Sequence, residues 1–409
     1  MNVLHVLDHT VPYFSGYSFR TRYILETQQK LGLQPTALTS PKHENIQAMQ
    51  EEIYGVRHYR TKLAPEPVAA LVERIPFIKE RVLMRTLRAR ILEVAAREHI
   101  DLIHAHSPIL DGIPALKAAR KLQVPIVYEV RAFWEDAAVD HGTLKENSFK
   151  YNLIRKLETD LLRKVDAVIT ICEGLKQDIV KRGIAEDKIT VITNCVDVSY
   201  FLPLERDKEL EAKYQLAGKT TLGFIGSFYR YEGLDLLLEA FHKLVPEHPD
   251  LRLLLVGEGE LMADLHARTE KYALGERVIL TGNVPHEQVR RYYSLIDLAV
   301  YPRKRMRLTE TVTPLKTLEA MSMEKLVVCS DLAAFRELIA EDRTGLLFRA
   351  GDAEDLADKC RRVLRQPEVG KKIGSAARQS MLETREWKKV IGKELELYKK
   401  LSANNAHVR

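Results

Sequence analysis

The chain has 409 residues, 45% hydrophobic and 29% charged. That is ordinary globular composition for two or three domains, which excludes disordered, collagen-like and disulfide-miniprotein classes. The net charge of +6 is concentrated: residues 57–97 hold ten Lys/Arg against four Asp/Glu, so the rest of the chain sums to zero.

Taken in chain order, short apolar runs alternate with helical periods. Strands are expected at Val3–Leu7, Thr36–Thr39, Leu102–His106, Ile126–Val130, Ala167–Ile171 and Thr190–Thr193. Helices are expected near 18–31, 80–97, 111–122, 149–164 and 174–182. A break in periodicity over 195–217 reads as a linker. Strands then restart at Leu222–Ile225, Arg252–Val256, Val278–Thr281, Leu298–Tyr301, Val327–Cys329 and Leu346–Phe348, and a last helix runs from Trp387 to Leu401. The strands are continuous apolar runs, as in sheets covered on both faces, and their alternation with helices predicts an α/β chain of parallel, doubly wound sheets. Two Rossmann-like domains are expected, 1–198 joined by the helix at 386–409, and 199–385. Ligands should bind at the strand C-termini, in a cleft faced by both domains.

The four cysteines are far apart, with no metal-ligand spacing, and are read as reduced, buried thiols. The start, Met-Asn-Val-Leu-His-Val-Leu, has no basic segment or long apolar core of a signal peptide. No apolar stretch approaches about 20 residues, so no membrane-spanning helix is expected. A cytoplasmic protein follows.

The segment Thr311-Val-Thr313-Pro-Leu315-Lys316-Thr-Leu-Glu319 carries the strongest site signal. Thr313 is expected to cap a helix with Pro314 in its first position. The N–H groups of Leu315 and Lys316, the helix dipole and the Lys316 charge would then form an anion site. Glu319, one turn on, could accept hydrogen bonds from two ribose hydroxyls. Gly223-Phe-Ile-Gly226-Ser-Phe-Tyr-Arg230-Tyr-Glu-Gly233 reads as a second phosphate cradle between strand and helix, with Arg230 its only cation. Gly257-Glu-Gly259 is close to a dinucleotide fingerprint. However, Met262 fills the third glycine position and no acid ends the next strand, so NAD binding is excluded. In the first half, the Ser15-Gly16-Tyr17 loop follows the first strand, and His106 ends another strand on the same edge. The loop Arg131-Ala-Phe-Trp134-Glu135-Asp136, extending to His141, has the aromatic and carboxylate mixture suited to sugars. Ordinary turn, capping and packing roles remain open for each of these segments.

In order along the chain, these segments resemble the retaining nucleotide-sugar glycosyltransferases of family 4, the glycogen-synthase-like "glycosyltransferases group 1", which have the GT-B fold. The resemblance rests on the Gly16 loop, the strand ending at His106, Val191-Ile-Thr-Asn194-Cys-Val-Asp197 and the Gly226 loop. It continues through Gly257-Glu-Gly259, Gly282-Asn-Val-Pro285, Tyr301-Pro302 and Glu319-Ala-Met. Ser15-Gly-Tyr-Ser-Phe-Arg20, Tyr128-Glu-Val-Arg-Ala-Phe-Trp-Glu-Asp136 and Gly226–Gly233 look like the branch associated with exosortase A and exopolysaccharide synthesis. The chain departs from the family pattern at the first of two spaced glutamates, where Thr311 stands beside Glu310. It departs again at Ser227 and Glu232, where the family has Arg and Lys.

The resemblance implies a transferase moving a sugar from a nucleoside diphosphate, UDP or GDP, to a glycan or polyprenyl-linked acceptor. No metal and no other cofactor is implied, and the sequence has no Asp-x-Asp pair. His106, Arg230 and Lys316 would be catalytic. Gly16, Gly226, Asn283, Val284, Glu310, Thr311, Thr313, Leu315 and Glu319 would bind the donor. Tyr17, Arg131, Trp134, Glu135, Asp136 and His141 would bind the acceptor. An inactive nucleotide-sugar-binding partner and a UDP-sugar 2-epimerase of the same fold are the alternatives.

The basic segment supplies one further expectation. Leu83, Leu87, Ile91 and Val94 share a helix face, and Arg81, Arg85 and Arg88 another. With Ile75, Phe77 and Ile78, residues 74–90 are expected to rest on anionic lipid at the inner face of the cell membrane, beside a lipid-linked acceptor. A solvated helix surface is the plainer reading. Nucleic acid is not an expected partner.

Overall fold

The structure, a computed structural model, describes residues 1–13, 15–44, 46–63, 78–140 and 142–406. The chain divides into two compact units, Met1–Asn194 with Trp387–Arg409, and Cys195–Glu386.

The first unit is built on eight strands: β1 (Asn2–Leu7), β2 (Gln34–Thr39), β3 (Gln50–Ile53), β4 (Val56–Tyr59), β5 (Leu102–His106), β6 (Ile126–Val130), β7 (Ala167–Thr170) and β8 (Ile189–Val191). Their order is β3-β4-β2-β1-β5-β6-β7-β8. All neighbours are parallel except β3, which is antiparallel to β4. The expected strands form within a residue or two of their ends, each a buried apolar run. The β3–β4 hairpin was not expected. Its strands, Gln-Glu-Glu-Ile and Val-Arg-His-Tyr, are too polar to stand out, and its turn is signalled only by Tyr54 and Gly55, at φ 53° and 74°.

The helix Ile78–Glu98 buries Leu83, Leu87, Ile91 and Val94, the face its spacing predicts. Arg81 and Arg85 are exposed on its other side and Arg88 is half-buried. Arg74, Ile75 and Phe77 lie outside the described residues. The C-terminal helix, Trp387–Ala406, belongs to this unit. Tyr398 donates to Glu394 at 2.5 Å, the hydroxyl lies 2.6 Å from His104 Nδ1, and Gln28 donates to both Glu394 and Tyr398 at 3.3 Å.

The second unit carries β9 (Thr220–Ile225), β10 (Leu251–Val256), β11 (Val278–Leu280), β12 (Leu298–Tyr301), β13 (Leu326–Ser330) and β14 (Leu346–Phe348). Their order is β11-β10-β9-β12-β13-β14, all parallel. Strand order reverses between β9 and β12. That is the switch point at which open α/β sheets leave room for a ligand. In the stretch expected to be a linker, a short helix forms over Lys208–Lys213, capped by Asp207, which accepts from the Leu210 N–H at 3.0 Å.

All four cysteines are buried and none forms a disulfide. Among the described residues, no helix is long and apolar enough to cross a membrane.

Candidate active site

In the second unit the connection after β9 reaches the switch point as a set of close backbone approaches. A Cβ at Gly257 would fall 2.0 Å from the Gly226 carbonyl oxygen, and one at Gly233 would fall 2.0 Å from the Pro302 carbonyl oxygen. Gly257 therefore serves the packing of two loops, which accounts for the incomplete dinucleotide fingerprint. Gly226 itself has φ 147°, and a Cβ there would lie 2.8 Å from the Lys316 ammonium nitrogen. The β9 turn and the helix carrying Lys316 thus meet at one point.

That helix runs Leu315–Ser322, with Pro314 at the cap and no side-chain cap. The expected Thr313 cap is corrected. Pro314 has extended backbone, ψ 137°, so the helical geometry begins one residue later than expected. Its first turn is anchored by Tyr293 and Tyr301, whose hydroxyls each donate to the Lys316 carbonyl at 3.0 Å. The Lys316 ammonium lies 2.7 Å from a Glu232 oxygen and over the Phe224 ring at 4.5 Å. Burial pushes it below the ordinary lysine value, with Glu232 opposing the shift and Arg303 adding to it.

Glu319 is half-buried on the same face and accepts from the Tyr293 hydroxyl at 3.2 Å. Burial pushes its carboxyl up to about 7, against the pull of Tyr293 and Lys316. Leu315 packs half-buried on the core.

Arg230 was the expected second cation. Its side chain is 79% exposed, 3.5 Å from a Glu260 oxygen, which removes it from the buried cradle. The cation found there is Arg303, directly after β12, which was not singled out. Its Nε and Nη2 donate to the two Glu232 oxygens at 3.2 and 3.0 Å, and Nη1 donates to the Val312 carbonyl at 3.2 Å. Its position after Tyr301-Pro302, at a strand end, was the one local hint; its pairing with Glu232 was not legible.

Glu310 does not stand free for a sugar. One oxygen accepts from Arg305, and the other from the Ala333 N–H at 2.7 Å. The Thr311 hydroxyl turns back to the Arg307 carbonyl at 2.7 Å. Asn283 is exposed beside Gly282, and Val284 packs half-buried on the core.

In the first unit, Ser15 caps the helix Gly16–Lys30 by accepting from the Ser18 N–H at 3.2 Å. The Ser15 hydroxyl lies 2.9 Å from His9 Nε2. Gly16 is exposed at the helix start, and the Tyr17 ring lies under the Arg131 guanidinium at 4.1 Å.

The expected role of His106 at an open edge is corrected: it has no exposed surface. Its Nδ1 lies 2.8 Å from Arg131 Nη2 and its Nε2 lies 2.9 Å from His5 Nδ1. Burial, then His104 and Arg131, hold His106 well below the ordinary histidine value. Arg131 is likewise built into the interior, donating to Glu129 at 2.9 Å, to the Tyr17 carbonyl at 2.9 Å and to Thr21 at 2.9 Å. Arg20 donates to the same Glu129 oxygen at 2.9 Å and to the Ile192 carbonyl at 2.8 Å. Glu135 is buried 2.9 Å from Arg182, and Asp136 accepts from Tyr151 at 2.7 Å. Arg131 and Glu135 are thus buried in ion pairs within the unit, and Asp136 is buried against the Tyr151 hydroxyl. Trp134 is 39% exposed. His141 lies outside the described residues.

His5, His104 and His106 bring ring nitrogens within 4.8 Å of one another, a spacing that could collect a metal ion. Those nitrogens already engage one another, Gln28, Arg131 and Tyr398, and His104 lies between Glu129 at 3.3 Å and Glu394 at 3.1 Å. Burial would lower His104, but the two carboxylates outweigh it and raise it. The arrangement is accounted for as a buried hydrogen-bond network.

Residues 206–380 match the family model for glycosyl transferases group 1, and residues 15–200 match that for glycosyltransferase family 4. The chain is 27% identical to the sulfoquinovosyl transferase SQD2 of Arabidopsis thaliana, covering 92% of this chain and 69% of that protein. It is 23% identical to the GPI3 subunit of the phosphatidylinositol N-acetylglucosaminyltransferase of Saccharomyces cerevisiae, covering 99% and 84%. Among solved structures, sucrose-phosphate synthase from Thermosynechococcus elongatus superposes with TM-score 0.77 at 20% identity, covering 98% of this chain and 99% of that one. The Anabaena protein HepE in complex with UDP superposes with TM-score 0.78 at 16% identity, covering 98% and 100%. With both halves matched by glycosyltransferase models and the whole chain by this fold, the protein is a GT-B glycosyltransferase.

Proposed function

We propose that the protein transfers a sugar, with retention of anomeric configuration, from a nucleoside diphosphate to a glycan or lipid-linked acceptor in exopolysaccharide or other cell-surface polysaccharide synthesis. The second unit would bind the donor and the first the acceptor. The observation carrying this reading is the half-buried Lys316 ammonium against the Gly226 turn, with the Glu319 carboxylate one helical turn on. A diphosphate at the Gly226 turn would meet the ammonium and the uncapped helix start, while Glu319 would accept from the ribose hydroxyls. Departure of the sugar builds negative charge on the diphosphate, and this fixed cation is preorganised for it. In this reading the leaving group is stabilised by Lys316 and the helix start, and no metal or other cofactor is invoked.

The UDP bound to HepE supports UDP as the nucleotide, with GDP the other candidate. The phosphatidylinositol named in GPI3's activity supports a lipid-linked acceptor. The resemblance to the exosortase-associated branch supports the polysaccharide role at the inner membrane face.

Calorimetric titration with a panel of nucleoside diphosphate sugars tests the reading. At least one UDP or GDP sugar should bind wild type and lose tenfold or more in affinity in both Lys316→Ala and Glu319→Ala. Equal binding in all three proteins would refute the site. One observation favours a second reading, an inactive binding partner: neither Thr311 nor the committed Glu310 offers a free carboxylate to the sugar. Slow hydrolysis of the bound donor without acceptor would count against it.

A further inference from the structure

Three charged side chains from two connections meet at the β9/β12 switch point: Glu232 after β9, and, between β12 and β13, Arg303 and the Lys316 of the helix Leu315–Ser322. Both cations contact the one carboxylate, which is 1% exposed. A carboxylate beside a diphosphate site is adverse by charge count alone, so its presence needs an explanation.

We propose that Glu232 is a positioning residue of the leaving-group site, fixing the Lys316 ammonium against the Gly226 turn, with Arg303 anchoring Glu232 itself. The inference rests on the donor-site reading above and deepens it. Arg303 is held in place on several sides. Three of its five N–H bonds go to the two Glu232 oxygens and the Val312 carbonyl. Lys316 is the opposite case, an ammonium on a flexible stem. Glu232 is its one ion-pair partner among the described residues, through a single 2.7 Å contact, leaving its other N–H bonds for a ligand. The groups facing it are Glu232 from the β9 connection, Arg303 from the β12 connection, the Phe224 ring from β9, and Glu319 on its own helix. Take Glu232 away, and Lys316 is left desolvated beside Arg303, with Glu319 already hydrogen-bonded to Tyr293. Like-charge repulsion and burial then favour a neutral or displaced amine. Glu232, Arg303 and Lys316 sum to +1. Glu232 therefore holds one cation in place without by itself cancelling the charge of the two cations. Burial tends to raise Glu232, but Arg303 and then Lys316 outweigh it and hold it below its ordinary value, so it stays ionised.

Glu232→Gln, nearly isosteric, tests this by two routes. The first is the NMR titration of the Lys316 side chain, which should lose its proton at least one pH unit lower than in wild type. The second is calorimetry with UDP and with inorganic pyrophosphate between pH 6.5 and 9.5. Affinity should fall tenfold or more at pH 8 and recover partly at pH 6.5, with the alkaline limb displaced as far as the lysine titration. Simple charge removal predicts the reverse. Equal or tighter binding with an unmoved Lys316 titration would overturn the proposal. Should Glu232→Gln fail to fold, Glu232→Asp keeps the charge on a shorter arm. It should leave the Lys316 titration within about half a unit and weaken UDP three- to tenfold, and unchanged affinity would overturn the positioning role. A wild type that binds no nucleoside diphosphate would sink the donor reading, while the Lys316 titration still decides what Glu232 does.

Discussion

Glu319→Gln should make the protein more stable and less able to bind its donor. In the folded chain the Glu319 carboxyl is pushed from 4.5 to about 7, burial being the main cause. A carboxyl raised in this way binds its proton more tightly folded than unfolded, so stability falls as pH rises from about 4.5 to about 7. The shift of roughly 2.5 units, at about 1.36 kcal/mol each, sets an upper bound near 3 kcal/mol on the cost of holding Glu319 ionised at pH 8. Because the residue is half-buried, about 1–3 kcal/mol is the working range. Glutamine removes that cost. Its melting temperature at pH 8 should exceed wild type's, and the difference should shrink toward pH 5, where the folded wild type already carries the proton on Glu319. Donor affinity should move the other way. The carboxylate can accept from two hydroxyls at once, whereas the amide offers one acceptor oxygen and a mismatched donor. The loss of charge-assisted hydrogen bonds is worth about 1.5–3 kcal/mol, roughly ten- to hundredfold in affinity. Wild-type affinity should itself weaken as pH drops through 7. Thermal melts at pH 5 and 8 with nucleotide titrations check both halves. A variant less stable than wild type at pH 8, or one that binds nucleotide equally well, would refute the reasoning.

Gly226→Ala places a methyl 2.8 Å from the Lys316 nitrogen at φ 147°. We expect about 1–3 kcal/mol of backbone strain and a donor affinity at least tenfold weaker, read by melts and calorimetry. Gly257→Ala, whose Cβ would strike the Gly226 carbonyl oxygen at 2.0 Å, should instead fail to fold. Neutralising the exposed Arg81 and Arg85 should reduce salt-sensitive flotation with acidic vesicles, and unchanged flotation would leave the helix as a solvated surface.

The parts of this fold legible in the sequence are those fixed by local chemistry. Strands such as Leu102–His106 and Leu251–Val256 are buried on both faces and read as apolar runs. Lys316 and Glu319 lie on one helical face because they are three residues apart. The β3–β4 hairpin escaped notice because β3 is a half-exposed edge strand and β4, although largely buried, carries Arg57 and His58 in place of an apolar run. Arg303 and Glu232 escaped for a different reason. They are 71 residues apart, and only the switch-point topology brings them together. The burial of His106 and Arg131 was hidden in the same way. Their types and strand-end positions suggest a site, whereas their burial is decided by His5, Glu129 and Thr21 from other elements.

That burial has its own consequence for His106. A strand-end histidine that touches substrate should be replaceable with loss of activity and little loss of stability. A histidine wedged between His5 and Arg131 should behave differently. His106→Ala removes both its ring nitrogens, leaving Arg131 Nη2 and His5 Nδ1 without those bonds in an interior that water does not reach. Each such orphaned group costs about 1–3 kcal/mol, and the cavity adds to it. Arg131 also holds Glu129, on which Arg20 depends, so the damage should spread along the network. We therefore expect His106→Ala to lower stability by about 3 kcal/mol or more, visible in denaturant unfolding of the free protein. His106→Gln, which can reach one partner, should recover part of it. A His106→Ala protein as stable as wild type but unable to transfer sugar would show that the imidazole faces the substrate after all.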